Sequence, residues 1–141
     1  MVTIPESHRD LLEGRFPAAL ATVMPNGDLQ TTVVWVDADA QHIRINTMKN
    51  FQKEKNMRRD PHVTLFIYDP ANTLRFLEIR GAVVEMTEDG ALEHLDGLSI
   101  KYTGNAPYFG TCVPAELAET ETPVLVRIAP TKVVATDFRK E

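Results

Sequence analysis

Apolar and polar residues alternate along several short segments of the chain, and a period of two is the pattern of a half-buried β-strand. In the first half of the chain, this pattern predicts strands at residues 16–24, 29–37, 43–47 and 63–68. Asn26-Gly27 lies between the first two segments and favours a hairpin with a type I′ turn, because both residues tolerate positive φ angles.

The second half continues the pattern with longer segments. Residues 74–86 predict one long strand, in which Gly81 marks a bulge or a bend. Residues 124–128 and 132–138 predict two final strands that are separated at Pro130. A sheet of six or seven mostly antiparallel strands that bends at glycines tends to close on itself, because closure removes its unpaired edges. We therefore predict a mainly β fold, a small barrel with helices inserted after the third and fifth strands.

A basic segment follows the third predicted strand. Asn50 can cap a helix that runs to about residue 59, and Pro61 ends it, since the residue before a proline is pushed out of the α region. Eleven residues hold five cations: Lys49, Lys53, Lys55, Arg58 and Arg59. A helix N-terminus with lysines around it is a natural phosphate site, and a solvated basic face is the alternative. Helical spacing puts Lys53 on the face of Met57, which we expect to be buried, and puts the last three cations on a solvated face.

The composition excludes several classes of function. The 141 residues carry a formal net charge of −5 and a pI near 5.4, which argues against sequence-independent binding of nucleic acid. No apolar run approaches the ~18 residues of a membrane span, and the single cysteine, Cys112, fits a reducing cytoplasm. The length predicts one domain over residues 1–141.

No catalytic motif stands out in the sequence. The four histidines are scattered, so we predict no metal site and a surface or turn position for each: His8, His42, His62 and His94. Asp37 and Asp39 fall in a predicted loop, where solvated carboxylates are expected. A phosphate site without an acid–base or nucleophilic set indicates that a bound cofactor supplies the reactivity.

The order of several residues resembles a known family. Thr47, Lys53 six positions later, the segment Asn56–Pro61 and Gly81 resemble the split β-barrel superfamily of pyridoxamine 5′-phosphate oxidase-like flavin and deazaflavin proteins. The segment Val34–Asp37 resembles the branch of that family that uses the deazaflavin coenzyme F-420. The similarity is best over residues 15–85, and it extends to the C-terminal third only through the residues KYTG at positions 101–104.

The resemblance implies a homodimer with two cofactor sites at the dimer interface. It implies that Thr47 and Lys53 bind the cofactor phosphate and that the ring lies along the second strand. The residues expected near the ring are Thr32, Val33 and Val34. Lys49 or Lys55 would help to attract the acidic tail of F-420.

The implied activity is transfer of hydride from reduced F-420 to a small unsaturated or nitro-type substrate. Two alternatives stay open: an FMN-dependent reductase or oxidase of the same fold, and a non-catalytic cofactor-binding protein. Gln52 stands where flavin-binding oxidases of the family usually carry arginine, and Phe76 falls where they carry glutamine. Residues 124–141 have no counterpart of the family's pyridoxal-phosphate-binding Arg and His, so the resemblance does not extend to pyridoxamine oxidation. The sequence singles out no proton donor and no particular substrate.

Overall fold

The structure is a computed structural model, and it describes residues 2–138. Within that range, seven antiparallel strands form one sheet: β1 (Ala18–Val23), β2 (Leu29–Val34), β3 (Val36–Ala38), β4 (Ile43–Met48), β5 (His62–Asp69), β6 (Asn72–Thr87) and β7 (Pro123–Asp137). The α-helices are α1 (Arg9–Glu13), α2 (Gln52–Arg59), α3 (Ala91–Thr103) and the short α4 (Tyr108–Thr111). Two 3-10 helices span Glu6–His8 and Ala115–Glu119. Across residues 2–138, no helix is long and apolar enough to cross a membrane.

The order of the strands explains how the sheet curls. From one edge to the other, the order is β2-β1-β5-β6-β7-β4-β3. The two edge strands, β2 and β3, are separated in the chain by Trp35 alone. One residue can join the two edges only if the sheet curls round until they meet. The predicted split β-barrel is therefore confirmed, whereas the prediction of one continuous strand over residues 29–37 is wrong.

Side chains that point into the curl form the core. Burial alternates along β1, and the same alternation continues in β4 and β5, as the period of two predicts. The innermost side chains come from most of the strands and are fully buried: Leu20, Val36, Ile45, Leu65, Ile79 and Val126. Burial of each such side chain stabilises the fold by about 1.5–3 kcal/mol.

A bend in the two longest strands tightens the curl. The register between β6 and β7 shifts at Gly81, which confirms the predicted bend. A Cβ atom at Gly81 would lie 2.7 Å from Ile128 Cγ2 and 2.8 Å from the Ala129 carbonyl oxygen, so only glycine lets the strands approach this closely. The predicted break at Pro130 is wrong, because this proline lies opposite Gly81 at the bulge, where a strand tolerates a residue without an N–H group.

The first hairpin forms at the predicted place but with a different turn. The Gly27 N–H donates to the Met24 carbonyl oxygen at 2.9 Å, so Pro25 and Asn26 occupy the centre of the turn. The ring of Pro25 fixes a negative φ, which excludes the predicted type I′ turn. Gly27 instead follows the turn with a φ of 91°, as in three-residue hairpin loops.

Candidate functional site

A cleft opens where the barrel wall splits between β2 and β4. β3 pairs with β4 as far as Ile45, and β7 pairs with it through Met48. Among the described strands, none pairs with residues 46–48 on the side away from β7, so this edge of β4 is free. The cleft has a volume of about 220 Å³. Its walls are Val33, Val34, Trp35, Asn46, Thr47, Met48, Phe51, Lys53, Leu95, Leu98 and Tyr108.

One side of the cleft is apolar and aromatic. The Trp35 ring stacks on Tyr102 with centroids 5.4 Å apart and planes 6° apart. Tyr108 meets Trp35 edge-on at 6.1 Å. Leu95 and Leu98 of α3 complete this wall. A wall of stacked rings and leucines suits a flat, largely apolar ligand, because such surfaces bury it without leaving polar groups unpaired.

The other side carries the Thr47 hydroxyl and the Lys53 ammonium group, neither of which has a partner among the described residues. Thr47 is buried, and its hydroxyl oxygen makes no hydrogen bond with any described residue. Burial lowers the pKa of Lys53, and within residues 2–138 no carboxylate lies in ion-pair range of this lysine. A partly desolvated cation and an unsatisfied hydroxyl in one cleft are donors that suit a phosphate. Thr47 and Lys53 thus fit the phosphate of a cofactor on an observation independent of the family resemblance.

The turn before α2 leaves Lys53 free. Asn50 was predicted to cap the helix, but it lies in the left-handed region with φ 73°, and Phe51 precedes the first helical residue. The buried Glu54 reaches back, so that its Oε1 accepts the Asn50 N–H at 2.9 Å while Oε2 pairs with Arg58. Because Glu54 is neutralised by Arg58, the one buried carboxylate of α2 does not engage Lys53.

The structure brings together four of the predicted site residues: Val33, Val34, Thr47 and Lys53. Three others lie elsewhere. Lys49 is outside the cleft and pairs with Glu88 at 3.3 Å, and Lys55 is exposed on the far face of α2. Thr32 lies next to the cleft wall, and its buried hydroxyl has no partner among the described residues. Binding roles for all seven residues stay predictions.

Several residues of the cleft were not predicted from the sequence. Tyr108 belongs to a segment without a periodic pattern, and its backbone N–H donates to Asp96 Oδ1 at 2.8 Å, which fixes α4 against α3. Leu95 and Leu98 carry the ordinary signal of a buried helix face. Phe51 is half exposed at the mouth of the cleft. Nothing local in the sequence distinguishes these side chains from core residues.

A polar network lies behind the cleft, against expectation. Asp37 was predicted to be a solvated loop residue, but it lies in β3, where Arg44 binds both its carboxylate oxygens and His94 Nε2 lies 3.0 Å from Oδ1. Burial raises the pKa of Asp37, but the hydrogen bonds from His94 and Arg44 outweigh burial, so the net shift is downward. The predicted surface positions are also wrong for His94 and His8, which are both buried. His8 Nε2 lies 3.0 Å from the Thr136 carbonyl oxygen.

The described residues place neither a metal-ligand cluster nor the single cysteine at the cleft. Across residues 2–138, no group of three or more His, Cys, Asp or Glu side chains could hold a metal ion. Cys112 is exposed, forms no disulfide and lies outside the cleft, with its Sγ 3.3 Å from Ser99 Oγ. The cleft offers an apolar wall together with Thr47 and Lys53, which suits an anionic ligand with a planar ring.

Comparison with known proteins agrees with this description. A solved structure named F-420 reductase is 30% identical, with a TM-score of 0.79, and the match covers 93% of this chain and 98% of that one. A conserved hypothetical protein from Mycobacterium tuberculosis is 26% identical, with a TM-score of 0.76 and coverage of 99% and 88%. HupZ of Group A Streptococcus shares the fold alone, at 17% identity, a TM-score of 0.67 and 94% coverage of each chain.

The family assignment rests on a match along nearly the whole chain. No curated protein sequence matches. The profile of the pyridoxamine 5′-phosphate oxidase family matches residues 4–137, which include every strand and the whole cleft. The curled antiparallel sheet and the cleft at its split agree with that match. The chain therefore belongs to the pyridoxamine 5′-phosphate oxidase family.

Proposed function

We propose that this protein is an oxidoreductase that uses coenzyme F-420 to transfer hydride to a small unsaturated or nitro-type substrate. The observation that carries the proposal is the unpaired Lys53 beside the unsatisfied Thr47 hydroxyl in a cleft with an apolar wall. This combination fits a cofactor that carries both a planar ring and a phosphate. The likeness to a protein named F-420 reductase, at 30% identity over 93% of the chain, supports the deazaflavin as that cofactor.

Each part of the cleft has a separate task in this proposal. Lys53 and Thr47 bind the phosphate and so hold the cofactor at that group. Val33, Val34 and Trp35 form a wall that orients the ring and excludes water from it. The bound coenzyme supplies the hydride chemistry. Lys49 and Lys55 lie outside the cleft, where they would attract the acidic tail of F-420 by long-range charge.

A second copy of the chain would complete the site. Phe66, Tyr68, Phe76 and Phe138 form a continuous aromatic strip on the outer face of the sheet, with successive centroids 5.1–6.2 Å apart. Ala19 of β1 lies between Phe66 and Val33, and Val33 is 72% exposed while also lining the cleft. The aromatic strip and the cleft are thus continuous. A homodimer that buries the strip would also give the cleft its missing wall.

Titration of the purified protein with F-420 and with FMN tests the cofactor. We expect tighter binding of F-420 and a steeper loss of its affinity with salt, because screening acts on the exposed lysines that face the anionic tail. Lys55→Ala should weaken F-420 binding and leave FMN binding unchanged. If FMN binds more tightly, the protein is an FMN-dependent reductase or oxidase instead. If neither cofactor binds, the proposal is wrong.

Turnover separates an enzyme from a carrier. Reduced F-420 bound to the protein should be reoxidised on addition of a nitro-type or unsaturated acceptor, with loss of one hydride per acceptor reduced. Tight binding without reoxidation over a broad panel of such acceptors would identify a non-catalytic cofactor-binding protein. We place the protein in the cytoplasm, where its exposed single thiol, Cys112, would stay reduced.

A further inference from the structure

A chain of hydrogen bonds leads from Asp37 to the cleft and ends at Asn46. Asp37 Oδ1 lies 3.0 Å from His94 Nε2. His94 Nδ1, on the other side of the ring, lies 3.1 Å from the Asn46 amide nitrogen. The three residues belong to β3, α3 and β4, so the chain crosses from the edge of the sheet, through the helix, to the wall of the cleft.

The protein fixes the orientation of the Asn46 amide. Its nitrogen also lies 2.9 Å from the Ala91 carbonyl oxygen, which can only accept a hydrogen bond. The NH2 group must therefore face Ala91 and donate its second hydrogen to His94 Nδ1. Nδ1 is then an acceptor, which leaves the proton of the ring on Nε2, where it donates to Asp37. Arg44 holds the Asp37 carboxylate in place through both oxygens.

The Asn46 oxygen remains without a partner. Oδ1 is buried and makes no hydrogen bond with any described residue, although Asn46 lines the cleft. Thr47, the next residue, presents the unsatisfied hydroxyl already assigned to the phosphate. An unsatisfied buried acceptor costs free energy, and a donor on a bound ligand removes that cost. Consecutive side chains of a strand point to opposite faces, but both residues line the cleft at the free edge of β4, where one ligand can reach both.

We infer that Asn46 Oδ1 accepts a hydrogen bond from the ligand whose phosphate Thr47 and Lys53 bind, and that His94 and Asp37 are positioning residues for this amide. The inference rests on the proposed function. F-420 and FMN share two donors of the required kind, the hydroxyls of the ribityl linker beside the phosphate and the N–H of the ring imide. Asn46 would thus select for a polyol-linked planar cofactor over a simple phosphate.

Cofactor analogues test the acceptor directly. FMN analogues that lack single ribityl hydroxyls or carry a methyl group on the imide nitrogen remove one donor at a time. The wild-type protein should bind one of them about three- to tenfold more weakly than FMN, the loss of one neutral hydrogen bond. The Asn46→Leu protein should bind FMN as weakly as the wild-type protein binds that analogue. It should bind FMN and the analogue with equal affinity. Equal binding of all analogues by the wild-type protein, or discrimination that persists in Asn46→Leu, would overturn the inference.

A second measurement needs no cofactor. Nitrogen NMR of the His94 ring in the free protein should show a protonated Nε2 and an unprotonated Nδ1. A protonated Nδ1 would place the Asn46 oxygen toward His94 instead of the cleft, and the inference would fail. His94→Leu should lose the same three- to tenfold in FMN affinity as Asn46→Leu, with no further loss in the double variant.

The outcomes separate this inference from the proposed function. If Lys53→Ala loses cofactor while Asn46→Leu binds it as the wild type does, the cofactor site stands and the role of Asn46 is refuted. If the wild-type protein binds neither F-420 nor FMN, the proposed function fails, and the inference that rests on it fails with it.

Discussion

Replacing Lys53 with methionine should weaken cofactor binding and stabilise the free protein. Methionine has a similar length and a similar helix propensity, so the substitution removes the charge with little other change. A charge-assisted hydrogen bond contributes about 1.5–3 kcal/mol, which corresponds to a ~10- to 150-fold loss of affinity for F-420 or FMN. Fluorescence or absorbance titration of both cofactors measures this loss.

The gain in stability has a separate physical cause. Burial lowers the pKa of Lys53, because among residues 2–138 no anion compensates the desolvated ammonium. The unfolded chain therefore holds this proton more tightly than the folded one. At neutral pH the free energy of unfolding should rise by about 0.5–1 kcal/mol in Lys53→Met, the range of one favourable substitution. The difference should shrink as the pH rises from the lowered pKa toward the ordinary value of 10.5.

Lys55→Met is the matched control, with the same change on the same helix. Lys55 is exposed and outside the cleft, so its removal should leave FMN affinity and stability nearly unchanged. Urea unfolding of both variants measures how much each substitution changes the free energy of unfolding. A Lys53→Met protein that binds FMN as well as the wild type, or that is less stable than the wild type, would refute the argument. Similar small losses of affinity in both variants would indicate a diffuse basic patch.

Three further substitutions, one of them with a control, test the fold, the assembly and the polar network. Gly81→Ala should destabilise the protein by about 1–3 kcal/mol in urea unfolding, because its Cβ would overlap Ile128, whereas Gly97→Ala, in open space within α3, should stabilise it by up to about 1 kcal/mol. Phe66→Glu should convert the proposed dimer to a monomer in light scattering, and a wild-type protein that is already a monomer would exclude the dimer. Asp37→Asn should cost about 1–3 kcal/mol at neutral pH. Because the pKa of Asp37 is lowered from 3.8, its contribution should vanish only as the pH falls below that value, and a cost that persists in acid would exclude the ion pair.

The local parts of the fold could be predicted from the sequence. A period of two in the side chains identified nearly all the strands, because burial on one face of a sheet acts residue by residue. Gly81 was identifiable as a bend, since a glycine inside an apolar strand indicates close approach of another backbone. The break at Trp35 was not predictable. The alternation of buried and more exposed residues continues through Trp35. The chain changes its pairing partner there, from β1 to β4, and that change depends on where distant strands lie in the sheet.

The candidate site also contains some residues that could be predicted from the sequence and others that could not. Lys53 was predictable from helical spacing, which puts it on the face of the buried Met57, and Thr47 was predictable from the family resemblance. The structure brings both residues into one cleft. The Asp37–His94 pair was not predictable, because it joins a strand to a helix 57 residues later in the chain. Taken singly, an aspartate and a histidine are residues that usually lie on a protein surface. Polar groups of this kind become visible only when the fold shows that they are buried together.

Lys101 and Tyr102 of α3 hold the backbone where the chain passes from β2 to β3. Lys101 Nζ donates to the carbonyl oxygens of Leu12 and Val36, at 2.8 and 2.6 Å. Tyr102 accepts the Val36 N–H at 3.2 Å and stacks on Trp35. Two neighbouring side chains of α3 therefore satisfy the backbone at the point where β2 ends and β3 begins. Among the described residues that line the cleft, Lys53 is the cation available to an anion. The backbone break that Lys101 and Tyr102 hold lies next to Trp35, so the feature that lets the sheet close on itself also forms part of the cleft wall.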